Sequence, residues 1–512
     1  MKTIKKTLSF MLSRLTVTAT LILAQMGLIA FYILKLTEYG EWVQSLLVFG
    51  ALSMVLFVVW RDDNPAYKTG WIMLICLFPI LGGAMYFFFG NKRPAKSLKR
   101  KLEPQEEKHW KDLTQTAGFD EVENTRIRET MGYVSNVCKY PAWNNTKVDY
   151  FPSGERMYAK MLEDLKSAEK FIFIEFFIIN KSTMWDGIFE ILKEKVKEGV
   201  EVRIIYDDVG SIRNLPKRFL AELKNAGITV LTFNPLKPFA SLIYNNRDHR
   251  KIVVVDGNVA YSGGINIADE YINVEKRFGY WKDTGIRIQG DAVWNFTVMF
   301  LNMWNAFKHT EEDYDRFRPS TNAEFLRLEQ GMVQPYGDTP LDDENLGENV
   351  YMEIINCARE YVYIFTPYLV IDNEMMTALT LAAKRGVDVR IVTPGIPDKK
   401  LIYRLTRSYY TPLIKAGVKI YEFTPGFVHA KSFIADDKVG VVGTINMDYR
   451  SLFLHFECAT LMVGCKCLQD LKADCQETMG RSKLVELKDK GRRRGFIGLM
   501  IDSILRVLSP LL

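Results

Sequence analysis

Two stretches of this chain repeat one another in order, and that duplication limits what it can fold into. "AEKFIFIEFFII" from Ala168 and "KEGVEVRIIYDD" from Lys197 match "AREYVYIFTPYLV" from Ala358 and "KRGVDVRIVTPG" from Lys384. "NAGITVLTFNP" from Asn225 then matches "KAGVKIYEFTPG" from Lys415. Each copy reads strand, helix, strand, helix, strand, with Gly199, Gly227, Gly386 and Gly417 where the helices stop. The pattern predicts an α/β fold of two homologous halves with pseudo-twofold symmetry. The joint is expected in the acidic, Gly/Pro-containing stretch from Pro335 to Asn349.

The chemistry-bearing residues recur at the same point of both copies. Half one reads "NNRDHRKIVVVDGNVAYSGGIN" and half two "TPGFVHAKSFIADDKVGVVGTIN". Both contain H-x-K-x-x-x-x-D: His249, Lys251 and Asp256, then His429, Lys431 and Asp436. Small-residue turns follow (Gly263 and Gly264; Gly443 and Thr444), and Asn266 and Asn446 each lie 17 residues after their histidine. The segment after each histidine reads as a strand, where residues two apart share a face, so each His–Lys pair projects together. A hairpin through Gly257-Asn258 is expected to return the asparagine towards the histidine. Asp256 and Asp436 fall near a strand end, where they either join the chemistry or hold the turn. The chain has only five histidines, and two of them occupy these matched positions.

Two histidines, two lysines and two asparagines suit phosphodiester chemistry. Ammonium and amide donors hold the charge that spreads over the phosphoryl oxygens in a displacement. One histidine attacks phosphorus to give a phosphohistidine, and a second, on the opposite side, protonates the leaving oxygen. Lysines between the histidines argue against a metal site, and no cofactor is expected.

The N-terminal end has a different composition. Only seven charged residues fall between Leu15 and Gly90. Leu15–Leu34, Trp42–Trp60 and Thr69–Asn91 are charge-free runs long enough to cross a bilayer as helices. The third contains Pro79, Gly82 and Gly83, which allows a broken or re-entrant hairpin instead. Lys92, Arg93, Lys96, Lys99, Arg100 and Lys101 follow it without an intervening acid, which favours a cytoplasmic catalytic part in a multi-pass cell-membrane protein. The seven cysteines are odd in number and form no paired C-x-x-C units, consistent with free thiols in a reducing compartment. At the C-terminus, Lys488, Lys490 and Arg492–Arg494 precede Phe496, Ile497, Met500, Ile501, Ile504 and Leu508. This reads as a basic amphipathic helix, lying on an anionic bilayer or packed on the protein body. The expected divisions are a membrane-anchor region at 1–100, halves at 130–330 and 331–484, and the C-terminal helix at 485–512.

With these residues in view, the chain resembles the bacterial cardiolipin synthases of the phospholipase D superfamily, whose mark is a pair of such motifs. "YWKDTGIRIQGDAV" (Trp281, Asp283, Thr284), "VHAKSFIADDKVGVVGTINMDYRSLFLHFE", "WIMLICLFPILGGAMYFFFG" and the tail "RVLSPLL" extend the similarity over nearly everything after residue 42. The resemblance implies that His249, Lys251, Asp256, His429, Lys431 and Asp436 form the catalytic set. It also implies that Asn266, Asn446, Asp283, Glu457 and Ser451 serve substrate binding, with Asp283 and Glu457 hydrogen-bonded to the imidazoles. Either histidine could attack; in several superfamily members the N-terminal one does, which favours His249. The implied reaction is phosphatidyl transfer between two phosphatidylglycerol molecules, giving cardiolipin and glycerol. The alternative is a membrane phospholipase D that hydrolyses phospholipid to phosphatidic acid. Anionic membrane lipid is the implied partner and nucleic acid is not. His455 stands where the family commonly has Asn, and Asp248 likewise. Glu175 and Tyr368, at corresponding strand ends, either contact the lipid headgroup or simply end their strands.

Overall fold

The computed structural model describes residues 27, 40–90, 96–113, 119, 122–212, 214–235, 246–320, 331–342, 344–487 and 496–511. The first apolar run, apart from Gly27, and the basic residues 488–494 lie outside them. The chain forms two compact units. Residues 96–235 and 246–493 make the larger one, and the N-terminal helices with the C-terminal helix belong to the smaller.

The larger unit holds both halves. Half one contributes β1 (Thr146–Phe151), β2 (Phe171–Phe176), β3 (Glu201–Asp207), β4 (Thr229–Phe233), β5 (Lys251–Val255), β6 (Val259–Gly263), β7 (Tyr280–Lys282) and β8 (Gly285–Gly290). Half two contributes β9 (Met332–Asp338), β10 (Tyr361–Phe365), β11 (Leu369–Val370), β12 (Asp388–Pro394), β13 (Lys419–Phe423), β14 (Gly426–Val428), β15 (Ser432–Ala435), β16 (Val439–Gly443), β17 (Met447–Asp448), β18 (Glu457–Val463) and β19 (Lys483–Leu484). The first sheet runs β1-β8-β6-β5-β2-β3-β4 and the second β19-β13-β12-β10-β15-β16-β18-β9. Without β19, the two orders are mirror listings of one topology. Parallel β2, β3 and β4 correspond to parallel β10, β12 and β13. The hairpin β5–β6 corresponds to β15–β16, each antiparallel to the first parallel strand of its half.

The duplication read from sequence is therefore present as two equivalent sheets. The joint differs from expectation. Pro335 to Asp338 is not a linker but part of β9, an edge strand paired with β18. Gln334 and Tyr336 bury their side chains there, and an edge position tolerates Pro335. Helix Val293–Lys308 is buried on nearly every side, from Val293 to Ala306. Such a helix belongs inside a large core. Phe300 stacks on Phe173 of β2 at 4.5 Å, and Asn295 ties the carbonyls of Pro141 and Pro335.

In the smaller unit, helix Gly40–Trp60 is 21 residues long and exposes Leu46, Phe49, Leu52 and Leu56. The third apolar run is not one helix. It breaks at Phe78, and Pro79 starts a second helix, giving Pro65–Leu77 (13 residues) and Pro79–Phe89 (11 residues). The two pack closely enough that a Cβ on Gly82 would lie 2.4 Å from the Leu74 carbonyl oxygen, so this contact requires glycine. Neither is long enough to cross a hydrocarbon core. Among the described residues no helix is long and apolar enough to cross a membrane. Helix Phe496–Leu508 packs against helix Pro65–Leu77, burying Leu505 and leaving Leu499, Met500, Ile501 and Ile504 exposed. Of the two readings of this segment, packing on the protein is what one face does.

Candidate active site

Each motif histidine sits on the short segment entering the antiparallel strand beside β2 or β10. Lys251 pairs with Phe176 at the carboxyl end of β2, and Ser432, next to Lys431, pairs with Phe365 at the end of β10. The segments are then locked across the halves. The His249 amide donates to the Phe456 carbonyl (2.8 Å), and the Phe456 amide to the Arg247 carbonyl (2.9 Å). In mirror fashion the His429 amide donates to the Lys282 carbonyl (2.7 Å), where β14 pairs in parallel with β7.

Because Phe456 precedes Glu457 and Lys282 precedes Asp283, this backbone pairing hands each histidine a carboxylate from the other half. His249 Nδ1 lies 2.8 Å from Glu457 Oε1, and His429 Nδ1 lies 2.7 Å from Asp283 Oδ2. Glu457 also accepts from the hydroxyls of Ser451 and Thr444, while Asp283 accepts from the Thr284 amide at 2.9 Å. Gly264 takes the place that Thr444 has in half two. A Cβ there would lie 2.0 Å from Asp283 Oδ1, so half one has no room for the corresponding hydroxyl.

The four motif side chains are nearly sealed from solvent. Lys251 Nζ donates to its own histidine's carbonyl at 2.6 Å, and Lys431 makes the same bond and also lies 2.9 Å from His429 Nδ1. Burial pushes the His249 imidazole down to about 3 despite Glu457, and His429 down to about 4, with Lys431 adding to the effect. Burial likewise lowers the ammonium of Lys251 to about 8 and of Lys431 to about 7. Burial alone would raise the two carboxylates, but His249 beside Glu457 and His429 beside Asp283 hold both below the ordinary range. These shifts favour neutral imidazoles beside ionised carboxylates in the free protein. A phosphodiester anion entering between them favours the protonated lysines.

The other expected residues divide. Asn266 is anchored by Tyr271 Oη (2.7 Å) and the Ile178 amide (3.2 Å). Asn446 keeps a buried amide oxygen without a partner. Ser451, expected to bind substrate, instead supports Glu457 and the Asn446 amide. Asp256 and Asp436 are not brought to the histidines. Each sits in the left-handed region, at φ 53° and 55°, at the far end of its strand. The carboxylate of Asp256 accepts from the amides of Glu169, Lys170 and Phe171, and that of Asp436 from Arg359, Glu360 and Tyr361. Five residues of strand place each of them roughly 16 Å beyond its lysine. Of the two parts left open for them, joining the chemistry or holding the turn, these contacts are those of holding the turn. Glu175 is completely buried and pairs with Arg250 at 2.6 Å, and Tyr368 donates to Asp398 at 2.5 Å, so both side chains are engaged within the protein.

The site has aromatic walls, of which only Trp281 stands out in a motif block read from sequence. Phe177 meets His249 edge-on at 5.0 Å, and Tyr271 and Trp281 flank His429 at 5.3 Å each. No spacing rule marks them, because they come from three separate loops and strands. His455 stands 5.6 Å from His249, ring to ring, and 3.7 Å from Glu457. The ligand atoms of His249, His455 and Glu457 fall within 4.8 Å of one another, the spacing of a metal site. Both oxygens of Glu457 are already engaged by His249, Ser451 and Thr444. The cysteines among the described residues are all free, as expected.

Comparison with known proteins follows the same lines. The family model described as "Cardiolipin synthase, PLD-like domain" matches residues 161–285 and again 351–479. The model for a phospholipase D-nuclease N-terminal region matches residues 48–91. A cardiolipin synthase of Alkalihalophilus pseudofirmus is 32% identical over 94% of this chain and 97% of its own length. One of a Geobacillus species is 33% identical over 91% and 93%. The crystal structure of phosphatidylserine synthase from Haemophilus influenzae superposes with a TM-score of 0.57 at 14% identity, covering 76% of this chain and 98% of that one. That likeness concerns the fold.

Proposed function

This chain belongs to the phospholipase D-like cardiolipin synthase family, and from that premise we propose that it is a phosphatidyltransferase joining two phosphatidylglycerol molecules. The observation that carries the reading is the pair of imidazole–carboxylate contacts exchanged between halves. Each histidine is thereby held by a carboxylate of the other half, next to a buried lysine of its own motif.

His249 Nε2 attacks phosphorus, a P–N bond forms, and the P–O bond to glycerol breaks. With the phosphodiester anion bound, His429 is the imidazolium, steadied by Asp283 at Nδ1, and it gives its Nε2 proton to the departing glycerol oxygen. Glycerol leaves. The headgroup hydroxyl of a second phosphatidylglycerol then attacks phosphorus from the same side and passes its proton to His429. The P–N bond breaks, and cardiolipin and free His249 result. Lys251, Lys431, Asn266 and Asn446 hold the phosphoryl oxygens as charge spreads over them. The aromatic walls of Phe177, Tyr271 and Trp281 keep water from competing with the second lipid.

The apolar smaller unit is read as the membrane anchor, its helical hairpin re-entrant and its exposed leucines and phenylalanines in lipid. The basic residues after the hairpin favour a cell-membrane protein with the catalytic unit on the cytoplasmic side. The test is purified protein with phosphatidylglycerol vesicles. Cardiolipin and glycerol are expected in equal amounts; phosphatidic acid alone would replace transfer by hydrolysis. His249→Ala and His429→Ala are each expected to abolish turnover.

A further inference from the structure

The loops at the mouth of the catalytic unit carry a feature that the chemistry does not use. The loop after β3 starts beside the site, where Asp207 accepts from the Asp248 amide. The loop after β12 does the same in half two, where the amides of Gly395 and Ile396 donate to the Gly426 carbonyl, three residues before His429. Each loop and the start of the helix after it expose large aliphatic side chains: Ile212 (48%) and, on helix Phe219–Asn225, Leu220 (48%) in the first; Ile396 (39%) and, on helix Lys400–Lys415, Leu401 (51%) in the second. Both also carry adjacent exposed cations, Lys217-Arg218 and Lys399-Lys400. A third element has the same character, the loop with Val274 (60% exposed) and the exposed Lys276 and Arg277. It reaches half two directly, since a Cβ on Gly279 would stand 3.1 Å from Ile396 Cδ1.

Aliphatic side chains in water around a cleft are unfavourable unless something covers them. Here the same combination occurs at equivalent positions of both halves, though the two loop sequences differ. Aliphatic groups interleaved with Lys and Arg match an interface of acyl chains under anionic headgroups. From this we infer that the mouth of the catalytic unit is itself a bilayer-docking rim, in which Ile212, Leu220, Val274, Ile396 and Leu401 enter the headgroup–acyl boundary of an anionic membrane and the paired cations bind its surface. The inference rests on the phospholipid reading above. It adds that the site is seated face-down on the lipid, so substrate passes from bilayer to histidines without crossing water.

The experiment uses the full-length protein. Single variants Ile212→Trp and Leu401→Trp are mixed with phosphatidylglycerol vesicles containing brominated acyl chains, with the unmodified protein's own signal subtracted. Leu381→Trp is the control; Leu381 is 50% exposed on helix Asn373–Lys384, at the opposite end of the second sheet's parallel strands. Quenching of the two rim tryptophans and not of the control is expected. Equal quenching of all three, or of none, overturns the rim. In parallel, K217E/K399E is assayed on vesicles and on short-chain phosphatidylglycerol dispersed as monomers. Roughly tenfold loss on vesicles is expected, with the monomer rate kept. Equal loss on both substrates, or none on either, overturns the inference. If no cardiolipin forms but the rim tryptophans are still quenched, the transfer reaction fails and the docking surface stands.

Discussion

Glu457 is held by His249 and two hydroxyls, Asp283 by His429 and one amide. Each carboxylate must hold a proton on Nδ1, so that Nε2 of His249 is free to attack and Nε2 of His429 carries the transferred proton. Glu457→Gln and Asp283→Asn are therefore expected to lower kcat by about 10³–10⁴-fold with the protein still folded, measured by turnover and circular dichroism. Thr444→Val removes one bond to the charged carboxylate and is expected to cost about tenfold, the kinetic equivalent of ~1.4 kcal/mol. The lysines set a pH limit. Their ammonium forms bind phosphate, and burial lowers Lys251 to about 8 and Lys431 to about 7. As pH rises through 7 to 8 the charge is lost, so kcat/KM, which reports the free enzyme, is expected to fall. Stability runs the other way. Folding holds these lysines below their unfolded pKa, so the penalty for burying them charged shrinks as pH rises above about 7. A rate profile flat to pH 9 would remove the lysines from phosphate binding. At this scale the histidines and lysines were legible because a strand's period of two fixes which residues share a face. The aromatic walls were not, since tertiary contacts alone bring them to the imidazoles.

At the scale of elements, the hairpin β5–β6 and its counterpart β15–β16 show why one motif aspartate differs in function from the rest. Asp256 and Asp436 close the far ends of these hairpins with three amide hydrogen bonds each. Asp256→Ala and Asp436→Ala leave those donors unpaired and place alanine at a positive φ. Each is expected to lower stability by about 1–3 kcal/mol, read from the urea midpoint, while the folded fraction keeps its turnover. Asp256→Asn tolerates the same backbone and is expected to lose less. Complete loss of turnover in well-folded Asp256→Ala would return the residue to the chemistry. The repeat implied one topology shared by both halves, but the order of strands within each sheet came only with the structure. The break at Phe78 was signalled by Pro79 and Gly82, whereas β9 was hidden because Pro335, Gly337 and Asp338 read as a turn. An edge strand accepts them, although every residue of β9 is buried.

At the scale of the catalytic unit, neither half completes its own site. The amide of His249 is bound by a carbonyl of half two, and that of His429 by a carbonyl of half one. Each imidazole then takes its carboxylate from the same foreign strand. Helix Val293–Lys308 adds a shared core, linking β2 through Phe300 to the carbonyl of Pro335 in β9. None of this was visible in the repeat, which shows that two halves exist but not that their sites interlock. The consequence is cooperative opening: exposing either histidine's amide parts one of the two cross-half pairings that together join the halves. Hydrogen exchange in increasing urea is expected to give the His249 and His429 amides one common opening free energy and one common denaturant slope, both equal to those of global unfolding of this unit. Two halves that merely pack side by side would instead let one amide exchange through a smaller opening with a shallower slope. Such a result would mean that the carboxylate exchange orients the imidazoles without joining the halves into one folding unit.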